Sequence, residues 1–190
     1  IIFPLFPHYS KSTWGIINHQ CRPFPKTLCV PPYFDHPLFM QLIYNRLTTQ
    51  LNRYKDSSSV FIFCTAHAIP VRQVKKGDPY IKQLERQLRL LGQHFPTTPI
   101  RLGYQSRLGP IRWTTPSIDD VLTSCKNELL DTAVVLPLSF TIDNSETLIE
   151  LDKHFASLSK EKGIKIWNRL RCLNTDNDFQ SFILRLVNET

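Results

Sequence analysis

Val60-Phe61-Ile62-Phe63-Cys64-Thr65-Ala66-His67-Ala68-Ile69-Pro70 is the stretch that decides the fold. Its first five residues are apolar, β-branched or aromatic without a polar break, the composition of a strand buried on both faces. Downstream, Asp78-Pro79 is a helix start, and Ile81, Leu84, Leu88 and Leu91 follow at helical spacing. Ile100–Tyr104 reads as the next strand, and Pro116-Ser117 opens a helix with Ile118, Val121, Leu122, Cys125 and Leu129 on one face. Ala133–Leu138 is a strand. A helix from about Ser145 to Lys162 follows, with Leu148, Leu151, Phe155 and Leu158 inward. Ile164–Trp167 is a last strand, and Phe179, Phe182, Ile183 and Leu186 mark a terminal helix. Alternation of this kind gives an α/β fold: a three-layer parallel sheet with helices on both faces and right-handed crossovers.

Upstream, the polar residues Asp56–Ser59 break the pattern. Before them, Asp35 is placed to cap a helix running to about Tyr54, with Leu38, Leu42, Ile43, Leu47 and Leu51 on one face. Thr27–Val30 and Ile1–Phe6 read as short strands, the latter buried. Residues 1–55 therefore read as the tail of a similar unit, and residues 56–190 as a full α/β domain. The chain opens on apolar residues without Met, so an N-terminally incomplete protein is expected.

Composition excludes several classes. With 42% hydrophobic and 21% charged residues over 190 positions, the chain is too apolar for disorder and long enough for a core. No stretch approaches the roughly 20 apolar residues of a membrane helix. The net charge of +7 comes from scattered Lys and Arg, with no basic run, zinc finger or aromatic RNA-binding motif, so nucleic acid is not expected as a partner. Five cysteines without a C-x-x-C pair argue against zinc and thioredoxin chemistry and suit a reducing, cytoplasmic compartment. No Gly-rich phosphate loop and no G-x-S-x-G elbow follow any strand.

Ligands of open parallel sheets bind beyond the carboxyl ends of the strands. There the sequence places His67, then Ser106, Arg107 and Trp113, then Ser139, Phe140, Asp143, Asn144 and Glu146. Each has an ordinary explanation. A lone loop histidine is commonly a satisfied one. Asp143-x-x-Glu146 resembles a capping box. Trp113 is as well suited to a core as to a ligand platform. Glu146, Glu150 and His154 line one helical stripe, which is commonly solvated. Gathered on one rim, they make a carboxylate–imidazole pair for metal or proton transfer.

At these residues the chain resembles the ferrochelatase family. Phe61–Pro70 followed by Gly77-Asp78-Pro79-Tyr80, Tyr104–Pro110 with Trp113, Pro137–Phe140 with Glu146-Thr147-Leu148 and Glu150-Leu151-Asp152, and Cys172-Leu173-Asn174 carry the likeness. Pro4–Ser10 with Ser12-Thr13 resembles the last strand segment of the family's first domain. The resemblance implies two similar domains with a tetrapyrrole between them, this chain being the second plus the tail of the first. It implies a lyase of heme biosynthesis that inserts Fe²⁺ into a porphyrin, protoporphyrin IX or coproporphyrin III. His67 and Glu146 would be the catalytic and metal-contacting pair, with Trp113, Phe140, Asn144, Glu150, Ser12 and Thr13 against the porphyrin or behind the pair. Fe²⁺ is then a substrate, with no tightly bound cofactor. With Cys172 solitary near the end, no iron–sulfur cluster is expected. Peripheral membrane association and the oligomeric state are left open by the resemblance, as are a chelatase for another tetrapyrrole and metal, and a tetrapyrrole-binding fragment without turnover. Two positions depart from the family pattern: Ala68 replaces the usual Gly or Ser, and Asn144 replaces the usual His and cannot take a proton at neutral pH.

Overall fold

The computed structural model describes residues 1–189 except Arg22, Pro25 and Asp56. The polar break and the domain boundary therefore fall partly on a residue outside the described ones. In chain order the helices and strands are α1 (Trp14–Cys21), α2 (Pro37–Leu51, continued by a 3₁₀ turn Asn52–Tyr54), β1 (Val60–His67), α3 (Val71–Lys75), α4 (Tyr80–His94), β2 (Ile100–Gln105), α5 (Ile118–Asn127) and β3 (Thr132–Pro137). A π-helix (Glu146–Phe155), α6 (Ala156–Glu161), β4 (Ile166–Arg169) and α7 (Asn177–Glu189) complete the fold. The four strands pair in parallel in the order β2-β1-β3-β4.

Period-two alternation divides β1 between two cores. Ile62, Cys64 and Ala66 face one side with Val134 and Leu136, beneath buried residues of α2, α4 and α7. Phe61 and Phe63 face the other with Ala133 and Val135, beneath α5 and Leu151 of the π-helix. The side chains of α2 (Phe39, Met40, Ile43, Leu47) thus share one core with the sheet that follows them. Gly103 on β2 admits α5 at close range, since a Cβ there would lie 3.0 Å from Ile118 Cα. No described helix is long and apolar enough to cross a membrane.

Several expectations need correction. Ile1–Phe6 is no buried strand: Ile2 alone bridges Cys29 in parallel, and Ile1, Leu5 and Phe6 are exposed. Thr27–Val30 likewise contributes that single bridge. The cap of α2 is His36, whose ring accepts from the Leu38 amide, whereas Asp35 pairs with Arg86. Leu38 is exposed and Phe39 and Met40 take the inward positions, and the helix begins one residue later than the Asp35 cap implied. Leu129, 83% exposed at φ 58°, lies past the end of α5 and turns the chain into β3. Leu148 is also outward, at 48% exposure. The Ser145–Lys162 helix opens as a π-helix with wider i→i+5 turns, so the inward row runs Thr147, Leu151, Phe155, each four apart.

Candidate active site

β1 extends beyond Cys64 through His67, whose backbone stands in register with Gln105 of β2. The Ala68 amide donates to the Gln105 carbonyl at 2.9 Å, and the His67 amide donates to Ser139 Oγ at 3.1 Å. Ser139 is itself bonded to the buried Tyr80 hydroxyl. The histidine therefore stands on a sheet position held from both neighbouring strands.

Glu146 comes from the first residue of the π-helix. His67 Nδ1 lies 2.7 Å from its Oε2. The carboxyl group is held below its ordinary range: burial works to raise it, but the His67 and Ser106 hydrogen bonds and the His67 charge outweigh that. An ionised carboxylate only accepts, so His67 Nδ1 is the nitrogen that carries hydrogen, and Nε2 is left to take a proton or bind metal.

Ser106 follows β2 at φ 62°, a left-handed conformation uncommon outside glycine. It places Oγ 2.7 Å from Oε2 of both Glu146 and Glu150. Gln105 Nε2 donates to Glu150 at 3.4 Å. Ser106 was named on the rim by sequence but given no role; a hydroxyl in a loop carries no signal until the left-handed turn that aims it is known.

The π-helix is itself held in place. Asn144 Oδ1 accepts from the Glu146 amide at 2.8 Å and the Thr147 amide at 3.3 Å, so Asn144 is the cap. Asp143 does not form the capping box. It accepts from Arg169 Nη1 at 2.7 Å and Asn174 Nδ2 at 2.8 Å, while Arg169 reaches Asp152 with Nε and Nη2 at 2.5 and 2.7 Å. Burial tends to raise the Asp143 carboxyl, but these donors, the Cys172 hydrogen bonds and the Arg169 charge hold it down at about 2. One buried guanidinium on β4 thus fixes the residue before the helix and a residue inside it. Neither Arg169 nor Asp143 was singled out for this by sequence, because the two lie 26 positions apart.

His67, Glu146 and Phe140 line a cleft of about 310 Å³ with Phe6, His8, Ser10, Ser12, Thr13, Ile69, Tyr80 and Ser139. Ser12 and Thr13 therefore share this cleft with the pair. Glu150 lies behind Glu146 through Ser106. Trp113 stands apart: it bridges Pro70, packs half-buried against the core and does not line the cleft. His154 at the end of the Glu146–Glu150 stripe is exposed, with its ring edge-on to Phe155. No group of three or more His, Cys, Asp or Glu side chains able to hold a metal occurs among the described residues. A two-donor site can hand a metal ion on, where a full cage would retain it.

Comparison with known proteins agrees with this geometry. The ferrochelatase family model matches residues 1–190. The ferrochelatase of Campylobacter concisus (strain 13826) is 32% identical over 97% of this chain and 61% of its own length. That of Aquifex aeolicus (strain VF5) is 31% identical over 98% and 62%. That of Sulfurihydrogenibium sp. (strain YO3AOP1) is 34% identical over 98% and 64%. The chain thus spans about three fifths of the length of these curated relatives. With its strand order, its rim pair and a family match along its whole length, the chain belongs to the ferrochelatase family.

Proposed function

We propose that this chain carries a metal-inserting site that places Fe²⁺ in a porphyrin, protoporphyrin IX or coproporphyrin III, as a lyase of heme biosynthesis. The observation that carries this reading is the His67–Glu146 pair on the wall of an apolar-rimmed cleft. Metallation exchanges two pyrrole N–H protons for one Fe²⁺, so the site must accept protons and release a metal. His67 Nε2 can do either, and Glu146 stabilises the imidazolium that forms. Phe140 and Ile69 supply apolar wall for the macrocycle. In this reading porphyrin and Fe²⁺ are the partners, Fe²⁺ is a substrate and no resident cofactor is needed. Residues 1–55 are the end of a first domain with its connecting helix. The unpaired cysteines suit a reducing, cytoplasmic setting.

The test is zinc or iron insertion into protoporphyrin by the wild-type chain and by His67→Ala. We expect the substitution to lower turnover by about 10²–10⁴-fold, the range of a general base. Turnover unchanged by it would overturn the role of the pair. Porphyrin binding without metallation would instead identify a tetrapyrrole-binding chain without turnover, and insertion of cobalt or nickel alone would identify a different chelatase.

A further inference from the structure

Outside the cleft, Arg72, Lys75 and Arg112 converge on a groove of about 280 Å³ lined also by Pro70, Val71 and Ile111. Arg72 and Lys75 stand three residues apart on α3, so both project from one face of it. Arg112 comes from the loop after β2, and a backbone clasp puts it there. The Val71 amide donates to the Arg112 carbonyl at 2.9 Å, and the Thr114 amide donates to the Ile69 carbonyl at 3.0 Å. Between these bonds, Pro70 bridges Trp113 in antiparallel fashion. The groove is therefore shaped by main-chain bonds between segments far apart in sequence.

Its charges have no counterpart. Arg46, Arg86, Arg101, Arg169, Arg171 and Arg185 each meet a carboxylate. Among the described residues, the side chains of Arg72, Lys75 and Arg112 meet none and make no hydrogen bond. Lys76 adds an exposed cation at the end of α3, and its carbonyl accepts from Lys11 Nζ at 2.6 Å, which brings a further ammonium to that end. Asp78, close by in sequence, is buried and already engaged: it accepts from Ser10 Oγ, Gln73 Nε2 and the amides of Lys11 and Tyr80. Like charges gathered in a concavity repel one another and concentrate an anion there. The apolar lining of Pro70, Val71 and Ile111 lowers the local dielectric and strengthens that attraction.

We propose that the Arg72–Lys75–Arg112 groove is a binding site for a phosphate group carrying two or more negative charges, whether a free diphosphate or a phosphomonoester lipid headgroup. Each guanidinium fork can take a pair of phosphate oxygens, and Lys75 adds a point charge. A single carboxylate would leave two of the cations unanswered. The site stands apart from the porphyrin reading, since none of its residues lines the His67–Glu146 cleft.

The test is an amide NMR titration of the full chain with pyrophosphate, run beside sedimentation with phosphatidylcholine vesicles that contain or lack phosphatidic acid. Both are repeated for Arg72→Gln, Arg112→Gln and Arg89→Gln, the last removing the same charge from an exposed helical position outside the groove. Pyrophosphate should shift the amides of residues 71–76 and 111–113. Each groove variant should weaken binding about 10-fold, as expected for one charged hydrogen bond, and Arg89→Gln by less than about 2-fold. Pyrophosphate binding without vesicle retention assigns the site to a free anion. Retention on phosphatidic acid that is lost in the two groove variants, with pyrophosphate silent, assigns it to a headgroup, and both together support the shared phosphate chemistry. Binding of neither probe, shifts centred elsewhere, or equal weakening by Arg89→Gln would overturn the proposal. The wild-type shift map decides the matter by itself if a variant fails to fold.

Discussion

Two histidines border one cleft, and their surroundings make them opposites. The His67 side chain is 41% exposed, bonded through Nδ1 to an ionised carboxylate, with Nε2 free to take charge. His8 is sealed between aromatic rings and bonded through Nε2 to a neutral amide, with Nδ1 bare. The tautomers are reversed because each ring turns a different nitrogen toward an acceptor: Nδ1 toward a carboxylate in His67, Nε2 toward an amide oxygen in His8. A histidine on such a rim is therefore understood only through the group behind it. One wall of the cleft pairs its imidazole with a carboxylate, and the other packs its imidazole, kept neutral by burial, among aromatic rings.

The charged wall depends most on Arg169, so its loss should separate the walls most clearly. Arg169→Ala strands Asp143 beside a half-exposed Asp152, and we expect a loss of about 3 kcal/mol in urea unfolding, at the low end for a broken buried pair. A loss below about 1 kcal/mol would mean that the π-helix holds its place without it.

Acid should act on both walls in different pH windows. The folded pKa of His8 is depressed from 6.5 to about 3, so the unfolded chain binds the extra proton. Its contribution is present above pH 6.5 and is lost as pH falls toward 3. Asp143 is depressed from 3.8 to about 2, so its contribution, on the order of 2 kcal/mol, is lost only below about pH 4. Urea midpoints measured from pH 7 to 3 should fall in two stages, and His8→Gln should remove the first. A first stage that persists in that variant would place its origin elsewhere.

The smallest effect tests the cap. Asn144→Ala should cost about 1 kcal/mol through the lost amide contacts of Glu146 and Thr147. A neutral result would separate the position of Glu146 from its cap.

Much of this was legible in the residues, for reasons that also explain the failures. Buried strands announce themselves by unbroken apolar runs, so all four strands of the sheet were placed to within a few residues. Ile1–Phe6 has the same composition but only one paired residue, and composition does not count partners. Residues 146–155 alternate as an α-helix would; a shift of one hydrogen-bond step leaves no mark on residue types. His67 and Glu146 were found because strand ends locate ligands, and the family resemblance then paired them. His8, Arg169 and Ser106 owe their parts to distant partners or to a left-handed turn, neither of which local spacing encodes.

The strand order has a consequence for how such a site can vary. The chain moves from β1 to β2 in one direction across the sheet, then crosses back over β1 to reach β3 and continues outward to β4. β1 is thus the topological switch point, where α4 leaves toward one face and the π-helix toward the other. The gap between the ends of β1 and β3 is produced by this divergence of the backbone, before any side chain is chosen. His67 and Ser139 stand at its two edges. Exchanging rim residues, as at Ala68 or Asn144, therefore changes the chemistry done in the crevice while leaving the crevice itself in place.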